Sequence, residues 1–259
     1  GEGNSEKDLV YKDLAQSMVQ RGFAVLRWDY RGVKCNELNA PPCVDCKSDL
    51  EKARHYVKSC IDNQIRKTVT TENFLDDIAL IYDYGRNFIQ TDSEKVIVMG
   101  HSEGSLNLAR LIEAKRIQPQ GALFLCVITE SPVGILHWQL VDRYVNRIIS
   151  WDLNQDSVVS GEEITMGFEK DDFFLKLGIS VQSLMPPTGE WTRESLSLHF
   201  ESDYTALREA SLSVPDSTPY PPGESDFEYV MTTYSWWKQW FIDNVPTIDR
   251  LKHYAGKVS

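Results

Sequence analysis

The chain has 259 residues, a formal net charge of −11 and 42% hydrophobic residues, enough sequence for one large α/β domain or a domain with an insertion. Phosphate binding needs clustered Lys and Arg, so the acidic balance argues against a nucleic-acid partner and suits a cation instead. No apolar run is long enough to be a transmembrane segment.

The opening "GEGNSEKD" reads as the middle of a loop without initiator Met or signal segment, so the natural start is expected upstream. Residues 6 to 21 place Leu9, Leu14, Met18 and Val19 at helical spacing, and Gly22 ends that helix. "FAVLRWDY" predicts a short strand closed by an Arg-Gly turn. Residues 35–68 form a charged, cysteine-rich excursion with Pro41 and Pro42, and with a helix near 49 to 60. "TTENFLDDIALIYDYGRN" predicts a helix capped by Thr71. "KVIVMG" predicts a strand, "SLNLARLIEAKR" a helix and "GALFLCVIT" a further strand. Helices alternating with apolar strands imply a parallel sheet covered on both faces. Residues 134–245 carry almost no strand signal and predict a helical cap, broken at "MPPTG" and "VPDSTPYPPG". Residues 246–259 return to the core, where "YAGKVS" opens a further strand. No internal repeat is visible.

Of five cysteines, Cys35, Cys43, Cys46 and Cys60 are crowded together. Two disulfides in an oxidising compartment are the leading reading, with a zinc site using the Cys43/Cys46 spacing and free thiols as alternatives. Cys126, inside "ALFLCVI", reads as a buried core thiol.

"VIVMGHSEGSLNLARLI" carries the chemistry. Gly100-His101-Ser102-Glu103-Gly104 fits G-x-S-x-G with a strand before it and a helix after it. A serine on such a corner projects from the sheet top as a nucleophile, the glycines leave room for close backbone approach, and the Glu103 N–H opens the helix toward a developing oxyanion. His101 reads as a packing residue of the turn.

In these residues the segment 1–133 resembles the N-terminal part of the α/β-hydrolase fold, in its "GHSEG" branch. "RWDYRG" looks like the turn this family places after its fourth strand, and "GEGNSEKD" like its oxyanion loop. The resemblance implies that the backbone N–H of Glu2 is the second oxyanion donor. Val33-Lys34-Cys35 departs from the family's usual continuation of that turn. The resemblance further implies a serine hydrolase that cleaves a carboxylic ester, or on the same fold a peptidase or amidase. The substrate would be a small ester or a short peptide. A non-catalytic calcium-dependent binding module with a relic elbow is the reading from another class.

Ser102 needs a histidine base and a carboxylate that orients it, which this family places late in the chain. After Ser102 come His137 and His199 in the cap and His253 before the expected last strand. The resemblance therefore implies that acid and base lie beyond Ser259 and that the α/β-hydrolase sheet, about eight strands in the family, is incomplete here. His137, His199 or His253 acting from an unusual position is the rival, and His55 is assigned no role.

"DLNQDSVVSGEE", residues 152–163, fits the twelve-residue EF-hand loop and predicts one structural Ca²⁺. Its ligands would be Asp152, Asn154, Asp156, the Val158 carbonyl, Ser160 through water, and Glu163. Val159 stands where a packed apolar residue is expected. Ser157 replaces the usual turn glycine at a cost of about 1 kcal/mol, which weakens binding. No second loop is visible. Calcium and disulfides together suit a periplasmic or extracellular setting. "YSWWKQWF", residues 234–241, reads as cap-to-core packing ahead of an acyl-pocket lining.

Overall fold

The computed structural model describes residues 6–34, 59–88, 92, 94–177, 179–219 and 233–255. The chain is mixed α/β and divides into two compact units, residues 1–127 with 247–259, and residues 128–246.

In the first unit the amphipathic stretch forms α1 (Glu6–Gln20), and the chain leaves it through Gly22 at φ 88°. Residues 23–30, expected as a strand, have no strand hydrogen bonding and are exposed, Phe23 by 48% and Trp28 by 42%. A strand exists only through a neighbour, so apolar composition alone does not make one. The turn after them is nonetheless fixed. The Arg31 guanidinium binds the Asp77 carboxylate and donates from Nη2 to the Asn73 carbonyl (3.2 Å), and Tyr30 meets Phe74 edge-on at 5.2 Å.

After the short helix α2 (Asn63–Arg66) comes α3 (Thr71–Arg86). Its cap is Thr70, one residue before the expected Thr71. Thr70 Oγ1 accepts from the Asn73 N–H (3.3 Å), and Asn73 Oδ1 accepts from the Thr70 N–H (3.0 Å). Then follow β1 (Ile97–His101), α4 (Glu103–Glu113) and β2 (Gly121–Leu125). The two strands are parallel, in register from Ile97 opposite Gly121 to His101 opposite Leu125.

One face of this sheet is covered: Val98, Ala122 and Phe124 pack on Leu75, Tyr82, Leu108, Leu111 and Ile117. The helix Thr247–Arg250 leads back to this core, where Leu251 joins the cluster and the Tyr254 hydroxyl donates to the Pro119 carbonyl (2.5 Å). Tyr254 and Ala255 belong to a short helix, Lys252–Ala255, where a strand was expected to open; residues 256–259 lie outside the described residues. On the other face Ile97, Met99, Leu123 and Leu125 are exposed. Cys126 is exposed as well, not buried: β2 stops at Leu125, and Cys126 turns the chain at φ 49°.

The second unit begins with α5 (Pro132–His137), which runs through a π-helical turn, Trp138–Asp142, into α6 (Arg143–Ile149). Next come β3 (Val158–Ser160), α7 (Gly161–Lys170), α8 (Phe173–Lys176), the 3₁₀ turn Gln182–Leu184 and β4 (Glu190–Thr192). The long helix α9 (Arg193–Ser213) and α10 (Tyr234–Ile242) complete the unit. The stretch with no strand signal thus contains a small antiparallel sheet of β3 and β4. Leu136, Val141, Ile148, Ile164, Phe174 and Leu196 are almost wholly buried in this unit. Trp236, Trp237, Trp240 and Phe241 of α10 are buried too, so "YSWWKQWF" packs as core. A Cβ added to Gly167 of α7 would fall 2.2 Å from Cδ2 of Trp151, so only glycine lets that ring lie against the helix. Among the described residues no helix is long and apolar enough to cross a membrane.

Candidate functional sites

Ser102 sits between β1 and α4 at φ 52°, ψ −121°, a backbone region that L-residues seldom occupy. Three hydrogen bonds pin the corner. The Ser102 N–H donates to the Leu125 carbonyl at the end of β2 (2.9 Å). The buried Ser105 hydroxyl contacts the Gly100 carbonyl (2.9 Å) and the Leu125 carbonyl (3.2 Å). The strain is therefore held by the strand ends and by Ser105, a residue the motif does not name. The Ser102 side chain is exposed and makes no capping bond to α4. A serine at an N-cap ordinarily spends its hydroxyl on a helix N–H; here the corner directs it elsewhere.

The two glycines differ. A Cβ on Gly100 would meet the Gly104 carbonyl oxygen at 2.5 Å, while one on Gly104 meets nothing within 4 Å. Gly104 thus serves by its backbone approaching Gly100, not by needing room of its own. Glu103 is the first residue of α4, so its N–H lies at the helix terminus beside Ser102.

Around this corner stand aromatic and titratable groups. The Tyr11 ring meets His101 edge-on at 5.8 Å. The Tyr30 phenol is pushed up to about 12 by desolvation of its hydroxyl, then by the charges of Glu103 and Tyr11, although 44% of the residue as a whole is accessible. Among the described side chains of this unit, His101 is the one histidine. Glu2, His55, Cys35, Cys43 and Cys46 lie outside the described residues, as does the side chain of His253. Cys60 is buried.

In the second unit, His137 Nε2 lies 2.6 Å from Glu201 Oε1 and Nδ1 lies 3.3 Å from Asp142 Oδ2, with Tyr204 edge-on at 5.1 Å. Both ring nitrogens face carboxylates, so neither is left for a serine proton. Burial disfavours the imidazolium, but the Glu201 hydrogen bond and the charges of Glu201 and Asp142 outweigh it and raise the pKa above its ordinary value. His199 packs between Trp191 (5.3 Å) and Phe200 (5.2 Å) as a core-edge ring.

Residues 152–163 run from the end of α6 through β3 into the first turn of α7, with Gln155 (φ 62°) and Ser157 (φ 73°) both left-handed. Asp152 accepts the N–H groups of Gln155 (2.7 Å) and Ser157 (3.0 Å), and Asp156 accepts that of Val158 (3.0 Å). Glu163, buried at 6% exposure, accepts from Leu153 N–H (2.9 Å) and Ser160 N–H (3.0 Å). These backbone donors hold its pKa below the usual carboxylate value. Val159 is fully buried. Among the described residues no three His, Cys, Asp or Glu side chains converge closely enough to hold a metal ion. The donor set nevertheless fits a hard cation in kind: ionised carboxylates, an amide and a hydroxyl on one left-handed loop.

A second loop escaped the sequence reading. β3 pairs with β4 so that Val159 faces Trp191. Counting outward from that pair, Ser157 corresponds to Gly189, and both are left-handed, at φ 73° and 68°. The capping box of Ser160 with Glu163 corresponds to that of Thr192 with Ser195. The traces that could have betrayed it are the lone glycine and the repeated hydroxyl-x-x-polar cap; the carboxylate and amide ligands are missing, with Leu184, Pro186 and Thr188 at the places of Asp152, Asn154 and Asp156.

No protein-family model matches the chain, and comparisons with curated proteins and with solved structures find no similar one.

Proposed function

We propose that the protein is a serine hydrolase of the α/β-hydrolase fold acting on a carboxylic ester of a small-molecule substrate, with Ser102 as nucleophile. Ser102 Oγ attacks the ester carbonyl carbon while a base takes its proton. The carbonyl oxygen becomes an oxyanion held by the N–H groups of Glu103 and Glu2. The alkoxide then leaves as the alcohol with that proton, and water hydrolyses the acyl-serine. The base, a histidine oriented by a carboxylate, is assigned to no described residue. The observation that carries the proposal is the Ser102 corner itself, strained at φ 52° with an uncapped hydroxyl beside a helix N-terminus.

The test is labelling of the intact protein by a fluorophosphonate probe, lost in Ser102→Ala, followed by a panel of nitrophenyl esters and aminoacyl anilides. Anilide-only turnover would move the assignment to a peptidase. Absence of labelling would leave a binding module with a relic elbow.

The second unit is assigned one Ca²⁺, held by Asp152, Asn154, Asp156, the Val158 carbonyl, Ser160 and Glu163. The ion would tie α6 to α7. A calcium-rich, oxidising location, periplasmic or extracellular, accords with that site and with the disulfide reading of Cys35, Cys43, Cys46 and Cys60. Calorimetric titration with CaCl₂ tests it, and Glu163→Gln is expected to weaken binding at least tenfold, roughly the effect of lowering the ligand charge count.

A further inference from the structure

We propose that residues 184–195 are the ion-independent half of a paired calcium module, closed without any cation and serving as the fixed platform on which loop 152–163 closes. The inference rests on the calcium assignment to that loop and goes beyond it, because it says what holds the site's other half.

Three observations carry it. First, β3 and β4 pair around Val159 and Trp191, with one left-handed residue (Ser157 and Gly189) and one capping box at matching offsets in each half. Second, the second loop is shut by its own bond. The Trp191 indole Nε1–H donates to the Leu184 carbonyl at 2.8 Å, and both residues are buried, at 5% and 3% exposure. Leu184 stands where the first loop places Asp152, whose carboxylate accepts the Gln155 and Ser157 N–H groups. A neutral donor and carbonyl thus span the end of the second loop, whereas anionic oxygens span the first. Third, the incoming helix of the second half is reduced to Phe173–Lys176 and a 3₁₀ turn, while its outgoing helix is the long Arg193–Ser213, anchored by buried Leu196, Phe200 and Tyr204. A half so anchored does not need an ion to set its geometry.

The consequence is preorganisation. The site's affinity depends on how fully the platform is formed, because a ligand's apparent affinity scales with the population of the competent state. Trp191→Phe removes the closing hydrogen bond without touching a calcium ligand. Because the platform stays anchored by Leu196, Phe200 and Tyr204, this is expected to weaken CaCl₂ binding by less than about fivefold, the equivalent of one net hydrogen bond.

The experiment has two arms on the full chain. In EGTA, the Trp191 indole N–H should exchange slowly while the amides of 152–163 exchange fast; CaCl₂ should then slow 152–163. If the indole N–H exchanges as fast as an exposed one in EGTA, the second loop needs the ion and the proposal is overturned. In calorimetry, a loss of affinity beyond about tenfold in Trp191→Phe also overturns it, because the platform would then not stand by itself. If that variant does not fold, the exchange measurement on the natural protein decides alone. Wild-type protein that gives no heat with CaCl₂ removes the calcium assignment itself and this inference with it. Heat in wild type with either failure above removes only the platform.

Discussion

A Cβ placed on Gly100 would lie 2.5 Å from the carbonyl oxygen of Gly104, less than any real contact allows. The strand end and the first turn of α4 therefore touch backbone to backbone, and that closeness holds Ser102 at its corner. Gly100→Ala should cost about 1–3 kcal/mol, as overpacking does. Gly104→Ala, with open space around it, should be neutral or stabilising by up to about 1 kcal/mol, because alanine favours a helix. Denaturant titration of the two variants checks the contrast; equal effects would mean the approach is not what fixes the corner.

Stability and chemistry should part company at Ser102. Ser102→Gly relieves a strained non-glycine conformation and should stabilise the first unit by about 1 kcal/mol. Ser102→Ala keeps the Cβ and the strain and should leave stability near its original value. Both should abolish fluorophosphonate labelling. The measurement is a pair of unfolding curves beside a labelling gel, and a stabilised alanine variant would contradict the strain assignment.

That corner was legible because it is local. Strand, turn and helix lie in one stretch, and the glycines announce the close approach. The sheet was less legible, because strand formation depends on partners remote in sequence. "FAVLRWDY" has the apolar content of a strand and no strand partner among the described residues, and the exposed Cys126 lies one residue past the last pairing of β2. In the second unit the ligand pattern of 152–163 was readable from residue types. Its partner loop 184–195 was not, since Leu184, Pro186 and Thr188 carry no carboxylate or amide where Asp152, Asn154 and Asp156 do. Ser105 was invisible for a related reason. A buried serine inside a helix carries no signal until the carbonyls of Gly100 and Leu125 are seen beside it.

Ser157 holds φ 73° with a side chain that disfavours it. Ser157→Gly should remove about 1 kcal/mol of strain from the closed loop and tighten CaCl₂ binding roughly fivefold. Titration calorimetry reads this directly. A glycine variant with unchanged affinity would show that the loop is equally strained with and without the ion.

His137 gives the second unit a pH dependence. Its folded-state pKa lies above the unfolded value because Glu201 and Asp142 overcome burial. The stabilisation is thus fully present below the unfolded imidazole pKa, about 6.5, and is lost as pH rises through the folded value. The side chain is about a third exposed, so the effect is modest. Thermal melts of wild type and Glu201→Gln from acid to mildly alkaline pH should show a gap that narrows as pH rises. A gap that widens would reverse the assignment.

The bare side of the β1–β2 sheet, with Ile97, Met99, Leu123 and Leu125 open to water, has a colloidal consequence. Such surfaces cohere unless like charge keeps molecules apart, and here that repulsion comes from the excess of acidic over basic side chains behind the net charge of −11. Acidification toward pH 5.0, the isoelectric point of the sequence, charges the histidines and protonates part of the carboxylates, and should bring on self-association that light scattering detects; added salt should shift its onset toward neutrality by shortening the reach of the repulsion.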